Sequence, residues 1–132
     1  MFPPPASSTD DVNLPGVVAE VVTAFAAYES ALVAGDIEAL VGAFWDSEWA
    51  VRFGVSESQY GAGAIAAWRR AQGPTPPGRT LDHTSVVTFG RQFACVTTEF
   101  TYPSDGRRGR QSQTWVRRPE GWRIVSAHVS VI

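Results

Sequence analysis

The hydrophobic period of this chain changes near residue 79, and that change limits the folds open to it. Before it, apolar residues recur at spacings of three and four, the mark of helices with one buried face. Beyond it the sequence reads as strands alone: Arg79–Phe89, Gln92–Tyr102, Arg107–Arg118 and Gly121–Val131. The turns between them are Gly90-Arg91, Pro103-Ser104-Asp105-Gly106 and Pro119-Glu120-Gly121. Connections this short join antiparallel neighbours, so the four strands should form a meander. They are long for strands, which suits a bent sheet rather than a flat one. Helices followed by a meander give an α+β domain with its helices on one sheet face.

The first half supplies those helices. Pro15 fits a first helical turn, and Val18, Val21, Phe25, Tyr28 and Leu32 then share one face. Gly35 closes this helix and Asp36 caps the next, whose buried positions are Ile37, Leu40, Val41 and Phe44. Trp49–Val55 reads as a strand with Arg52 among apolar neighbours, and Gln59-Tyr60-Gly61 as a short partner after a turn at Ser56-Glu57-Ser58. Ala62–Ala71 is a short helix carrying Ile65 and Trp68, with Arg69 and Arg70 near its C-terminus. The Gly73–Gly78 stretch, with three prolines, breaks the pattern and predicts a loop over the sheet's rim.

A length of 132 residues, 44% hydrophobic and 18% charged, describes one globular domain with a real core. Residues 1–13, opening with Pro3, Pro4 and Pro5, read as a flexible arm; residues 14–132 form the domain. The start lacks a basic segment followed by an apolar one, so no signal peptide is expected and the cytoplasm is the expected location. No apolar run of membrane-spanning length is expected either. A net charge of -2 argues against nucleic acid as a partner. All 11 basic residues are Arg, which favours planar contacts with carboxylates. Cys95 is the one cysteine and His83 and His128 the two histidines, too few ligands for a metal site. No nucleophile elbow, phosphate loop or dinucleotide fingerprint occurs, so no cofactor is expected.

The order of elements resembles that of the nuclear transport factor 2-like (SnoaL-like) superfamily, whose sheet curls into a cone over about three helices. Gly109-Arg110-Gln111-Ser112-Gln113-Thr114-Trp115-Val116-Arg117, then Gly121-Trp122-Arg123-Ile124-Val125 and Ala127-His128-Val129-Ser130, is similar to the ending of AtzH-like and oxalurate-catabolism proteins. Phe25-Ala26-Ala27-Tyr28-Glu29, Phe44-Trp45, Val51-Arg52-Phe53-Gly54 and Tyr60-Gly61 resemble the same branch. A looser version of the ending closes a kinase association domain, which is a structural oligomerisation module. The resemblance implies a place beside amidase-signature hydrolases in the breakdown of nitrogen-rich compounds. It also implies amidohydrolysis of a carboxylated urea with loss of carbon dioxide, with the required Tyr and Arg falling on Tyr28 and Arg52.

The residues bear independently on that implication. Ala50, Arg52 and Gly54 share one strand face, and small neighbours leave room above the guanidinium for an anion. The competing expectation is a salt bridge from Arg52 to Glu99, Glu29 or Asp46, or a solvent-facing side chain. Tyr28 is a core residue or a proton donor to a leaving nitrogen. On the last strand Ile124, Ser126, His128 and Ser130 alternate with Val125, Ala127, Val129 and Val131, and the apolar set should face the core or a partner. His128 is a candidate acid or base. Gln113 can bind a urea-like group as donor and acceptor, and Trp45 and Trp68 are candidate pocket walls. Three readings follow: an enzyme for small anionic amides, a non-catalytic protein that binds a small acid or an amidase, and a structural dimerisation module. A homodimer is expected in each, since a sheet with two apolar faces must cover both.

Overall fold

The computed structural model describes residues 11–132, so most of the expected arm, residues 1–10, lies outside the described residues. Residues 11–13, assigned to the same arm from sequence, instead continue the sheet: Val12 bridges Phe89, and Asn13 accepts from the Thr88 amide at 2.9 Å.

Helix α1 (Pro15–Ala34) opens on Pro15 and stops at Gly35, whose φ of +71° suits a residue without a Cβ. Val17, Val21, Phe25, Tyr28, Ala31 and Leu32 are its buried residues. Val17 thus takes the place expected for Val18, because the face follows the i+4 row back from Val21. With a mean hydropathy of 1.6 in its most apolar window, α1 is long and apolar enough to cross a membrane, contrary to expectation. Its valines and alanines carry it over that threshold, yet Glu20 and Glu29 tie its flanks to the sheet through Trp122 and Arg79. Helix α2 (Ile37–Gly42) is capped by Asp36, which accepts from the Ala39 amide at 3.2 Å. Leu40 and Phe44 enter the core while Ile37 and Val41 remain half-buried.

The sheet has the order β2-β1-β6-β5-β4-β3, with β1 (Val51–Phe53), β2 (Ser58–Tyr60), β3 (Thr80–Phe89), β4 (Phe93–Tyr102), β5 (Arg107–Arg118) and β6 (Gly121–Val131). Helix α3 (Ala62–Ala71) separates β2 from β3. The meander β3–β6 is antiparallel throughout, but β1 runs parallel to β6, so the sheet is mixed rather than wholly antiparallel. No hairpin joins β1 to β6, and without a tight turn their relative direction is free.

Two local devices shape the inner, helix-facing surface. Val125 is an extra residue on β6, since Thr114 faces Ser126 while Trp115 faces Ile124. This bulge reverses the side-chain alternation. Trp122 and Ile124 point inward before it, Ala127 after it, and Ser126 and His128 are exposed. Gly109 faces Phe100 across β4 and β5, and a Cβ there would stand 2.2 Å from the Phe100 ring. The missing side chain lets that ring lie across β5.

The Phe100 ring supports Arg79, whose side chain is 3% exposed and whose Cζ lies 4.3 Å from the ring centre. Arg79 donates to both Glu29 oxygens at 3.1 and 3.3 Å, to the Tyr102 hydroxyl at 3.0 Å and to Gln111 Oε1 at 3.0 Å. Gln111 returns a bond to Glu29 at 3.2 Å. Burial alone would lower the Arg79 pKa, but Glu29 and Tyr102 hold it above its usual value. This network fastens α1 to β4 and β5. Glu29→Gln should therefore lower unfolding stability by about 3 kcal/mol, read from urea melts; a loss under about 1 kcal/mol would class the pair with surface bridges.

Candidate functional site

Between α1, α3 and the inner sheet face lies a cavity of about 220 Å³. Its size suits a small metabolite. Tyr28 reaches it from α1, Arg52 from β1, Trp68 and Arg69 from α3, Gln113 from β5 and Ala127 from β6. A second concavity between α2, α3 and the β5–β6 turn is larger but lies away from these groups.

Arg52 is 7% exposed. Its Nη1 donates to Glu57 Oε1 and Gln59 Oε1, each at 2.9 Å, and its Cζ sits 3.7 Å from the Trp68 ring centre. The carboxylate partner is thus Glu57, not Glu99, Glu29 or Asp46: Glu99 meets His83 at 3.0 Å and Glu29 is held by Arg79. The local sequence explains the pairing. Arg52 and Gln59 are opposite one another in the β1–β2 hairpin, so their side chains share a face. Gly54 shares that face too, and a Cβ on it would stand 1.6 Å from Glu57 Oε1 and 2.8 Å from Arg52 Nη1. Only a bare backbone lets the Glu57 carboxylate fold back over Arg52.

Glu57 Oε2 accepts from the Ser56 amide at 3.1 Å. Burial pushes the Glu57 carboxyl up, but Arg52 and Ser56 together hold it below its usual value. Burial raises the Tyr28 phenol above its usual value against the pull of Arg69 and Arg52, which keeps it a proton donor near neutrality. Arg69 interacts with the Tyr28 hydroxyl; burial, and then the charge of Arg52, draw its guanidinium below the usual value. Gln113 Oε1 accepts from Trp115 Nε1 at 3.0 Å. An indole N–H only donates, so it takes one lone pair of Gln113 Oε1 and leaves the other lone pair and the NH2 group to a ligand.

The other two expected site residues lie elsewhere. His128 is on the outer sheet face, exposed, with its ring 5.8 Å from Phe53, because the Val125 bulge sets Ala127 inward. Trp45 follows α2 and stacks near Arg118, 5.6 Å from its guanidinium carbon, away from the cavity. Glu57, Gln59 and Arg69 were not among the sequence candidates. The hairpin spacing Arg52-x-Gly54-x-x-Glu57-x-Gln59 carries the signal for the first two.

The AtzH-like family model matches residues 10–132. The chain belongs to the AtzH-like family. A crystal structure of a cystatin-like fold protein from Burkholderia xenovorans is 51% identical, covering 92% of this chain and 96% of the other, with a TM-score of 0.89. A protein of unknown function from Pectobacterium atrosepticum is 46% identical over 93% of this chain and 96% of its own, also with a TM-score of 0.89. A nuclear transport factor 2-like protein from Salmonella enterica, at 22% identity, 88% and 91% coverage and a TM-score of 0.69, shares the fold alone. No functionally curated protein matches the chain. The nuclear transport factor 2-like fold expected from the sequence is therefore present, and family and cavity together support a small-molecule-binding protein.

The depressed Glu57 pKa sets a pH dependence. The stability that Glu57 contributes is complete above its unfolded value of 4.5 and is lost as the pH falls through the lower folded value. Glu57→Gln should flatten this acid limb of urea stability between pH 7 and pH 3, and Gly54→Ala should do the same by expelling the carboxylate. An unchanged acid limb in both variants would remove Glu57 from the account of the site.

Proposed function

We propose that this AtzH-like protein is a decarboxylating amidohydrolase of nitrogen-compound catabolism, acting on a carboxylated urea or a similar small anionic amide. The observation that carries the reading is the convergence of the Tyr28 hydroxyl, Arg52, Arg69 and the Gln113 amide on one cavity of small-metabolite size. The N–H groups of Arg52 not used by Glu57 or Gln59, together with Gln113, orient oxygen atoms of the substrate. Water adds to the urea carbonyl carbon, and the carbon–nitrogen bond breaks as its nitrogen takes the Tyr28 proton. The products are an amine and a carbamate, and Tyr28 recovers the proton that the attacking water releases. The carbamate then takes a proton on nitrogen and its own carbon–nitrogen bond breaks, giving carbon dioxide and a second amine.

One observation favours a second reading, a non-catalytic protein that binds a small acid or assists an amidase-signature enzyme. Glu57 is the carboxylate in the cavity lining, and Arg52 and Ser56 hold both its oxygens, so it is a poor base for activating water. A panel of carboxylated ureas, followed by released ammonia and carbon dioxide, separates the two. Under the enzymatic reading Arg52→Ala and Tyr28→Phe remain folded and lose turnover by about 100-fold or more. Normal turnover in both variants removes their assigned roles; no turnover by the wild type, with an amidase that depends on it, selects the accessory reading.

A further inference from the structure

We infer that Arg69, near the C-terminal end of α3, is the seat of the ligand's carboxylate, while Arg52 serves the cavity as an orienting donor already neutralised by Glu57. The inference rests on the cavity being a site for small anionic amides and concerns which cation supplies the charge. Four arginines line the cavity against one glutamate, in a chain whose net charge is -2. Three of the four have a carboxylate of their own. Arg52 has Glu57 at 2.9 Å, Arg79 has Glu29 at 3.1 Å, and Arg107 has Asp105 at 3.9 Å. Arg69 forms no ion pair among the described residues.

Its surroundings fit an anion receptor. The Arg69 guanidinium carbon lies 4.8 Å from the centre of the Trp68 ring, which also stacks on Arg52. Trp68 thus sets two cations around one aromatic ring, and their charges oppose each other. The adjacent Arg70 turns to the surface and pairs with Glu38 at 3.1 Å, so that carboxylate does not serve Arg69. The C-terminus of α3 offsets only a small part of the charge, because a helix end carries a fraction of an elementary charge. With no carboxylate beside it, the half-buried guanidinium stays under-compensated until an anion arrives. Stability given up at a ligand site in this way is recovered on binding.

The test measures the full chain and an Arg69→Met variant by calorimetric titration and thermal melts. The probes are N-carbamoylglycine, its neutral amide N-carbamoylglycinamide, and acetate. The expected result is that Arg69→Met binds N-carbamoylglycine about 30-fold more weakly, binds the neutral amide as the wild type does, and melts no lower than the wild type without ligand. Acetate should stabilise the wild type and leave the variant unmoved. Equal N-carbamoylglycine affinity in both proteins overturns the seat while leaving the amide reading intact. Acetate stabilisation that depends on Arg69, without N-carbamoylglycine binding, keeps the seat and removes the amide reading. A variant that melts well below the wild type and keeps its response to acetate shows Arg69 to be a structural residue and overturns the inference.

Discussion

A guanidinium cannot be buried without something to neutralise it, and this requirement organises the interior. Arg52 and Arg79 enter the protein on different sides of the cavity and are treated alike. Each meets a glutamate, a glutamine side-chain oxygen and an aromatic face: Glu57, Gln59 and Trp68 for the first, Glu29, Gln111 and Phe100 for the second. The Arg79 cluster is closed, since Tyr102 occupies its remaining arm, and it fastens α1 to the sheet. The Arg52 cluster is open on the cavity side. The same chemistry thus yields a structural clamp in one place and a site with spare donors in the other.

Small irregularities aim the groups that meet in the cavity. Gly54 gives the Glu57 carboxylate a path to Arg52, and Gly109 gives Phe100 a place to lie beneath Arg79. The Val125 bulge sets Ala127 toward the cavity and His128 away from it. None of these positions carries chemistry itself. Each decides whether a neighbouring side chain can.

Much of the fold was legible because it rests on local rules. Pro15 and Gly35 mark the ends of α1, and the short turns after residues 89 and 102 force antiparallel neighbours. The cavity residues Tyr28, Arg52, Trp68 and Gln113 were legible through helix or strand phase combined with a family resemblance. Alternation had already set His128 opposite Ala127, so its proposed site role did not follow from its phase; the Val125 bulge instead overturned the phase at Ile124, which is buried, and Trp45 follows α2 outside any periodic element. The parallel pairing of β1 with β6 was hidden for a related reason: no local turn encodes it.

By itself the sequence determined the elements, their order and the presence of an arginine on an otherwise apolar strand, since period, caps and turn residues act over a few positions. Tertiary structure alone decided which carboxylate neutralises each arginine. Glu57 and Glu29 find their partners through the β1–β2 hairpin and the packing of α1 on the sheet. It also decided that Arg69 faces the cavity without a carboxylate of its own among the described residues, because charge compensation depends on distance in space rather than on separation along the chain.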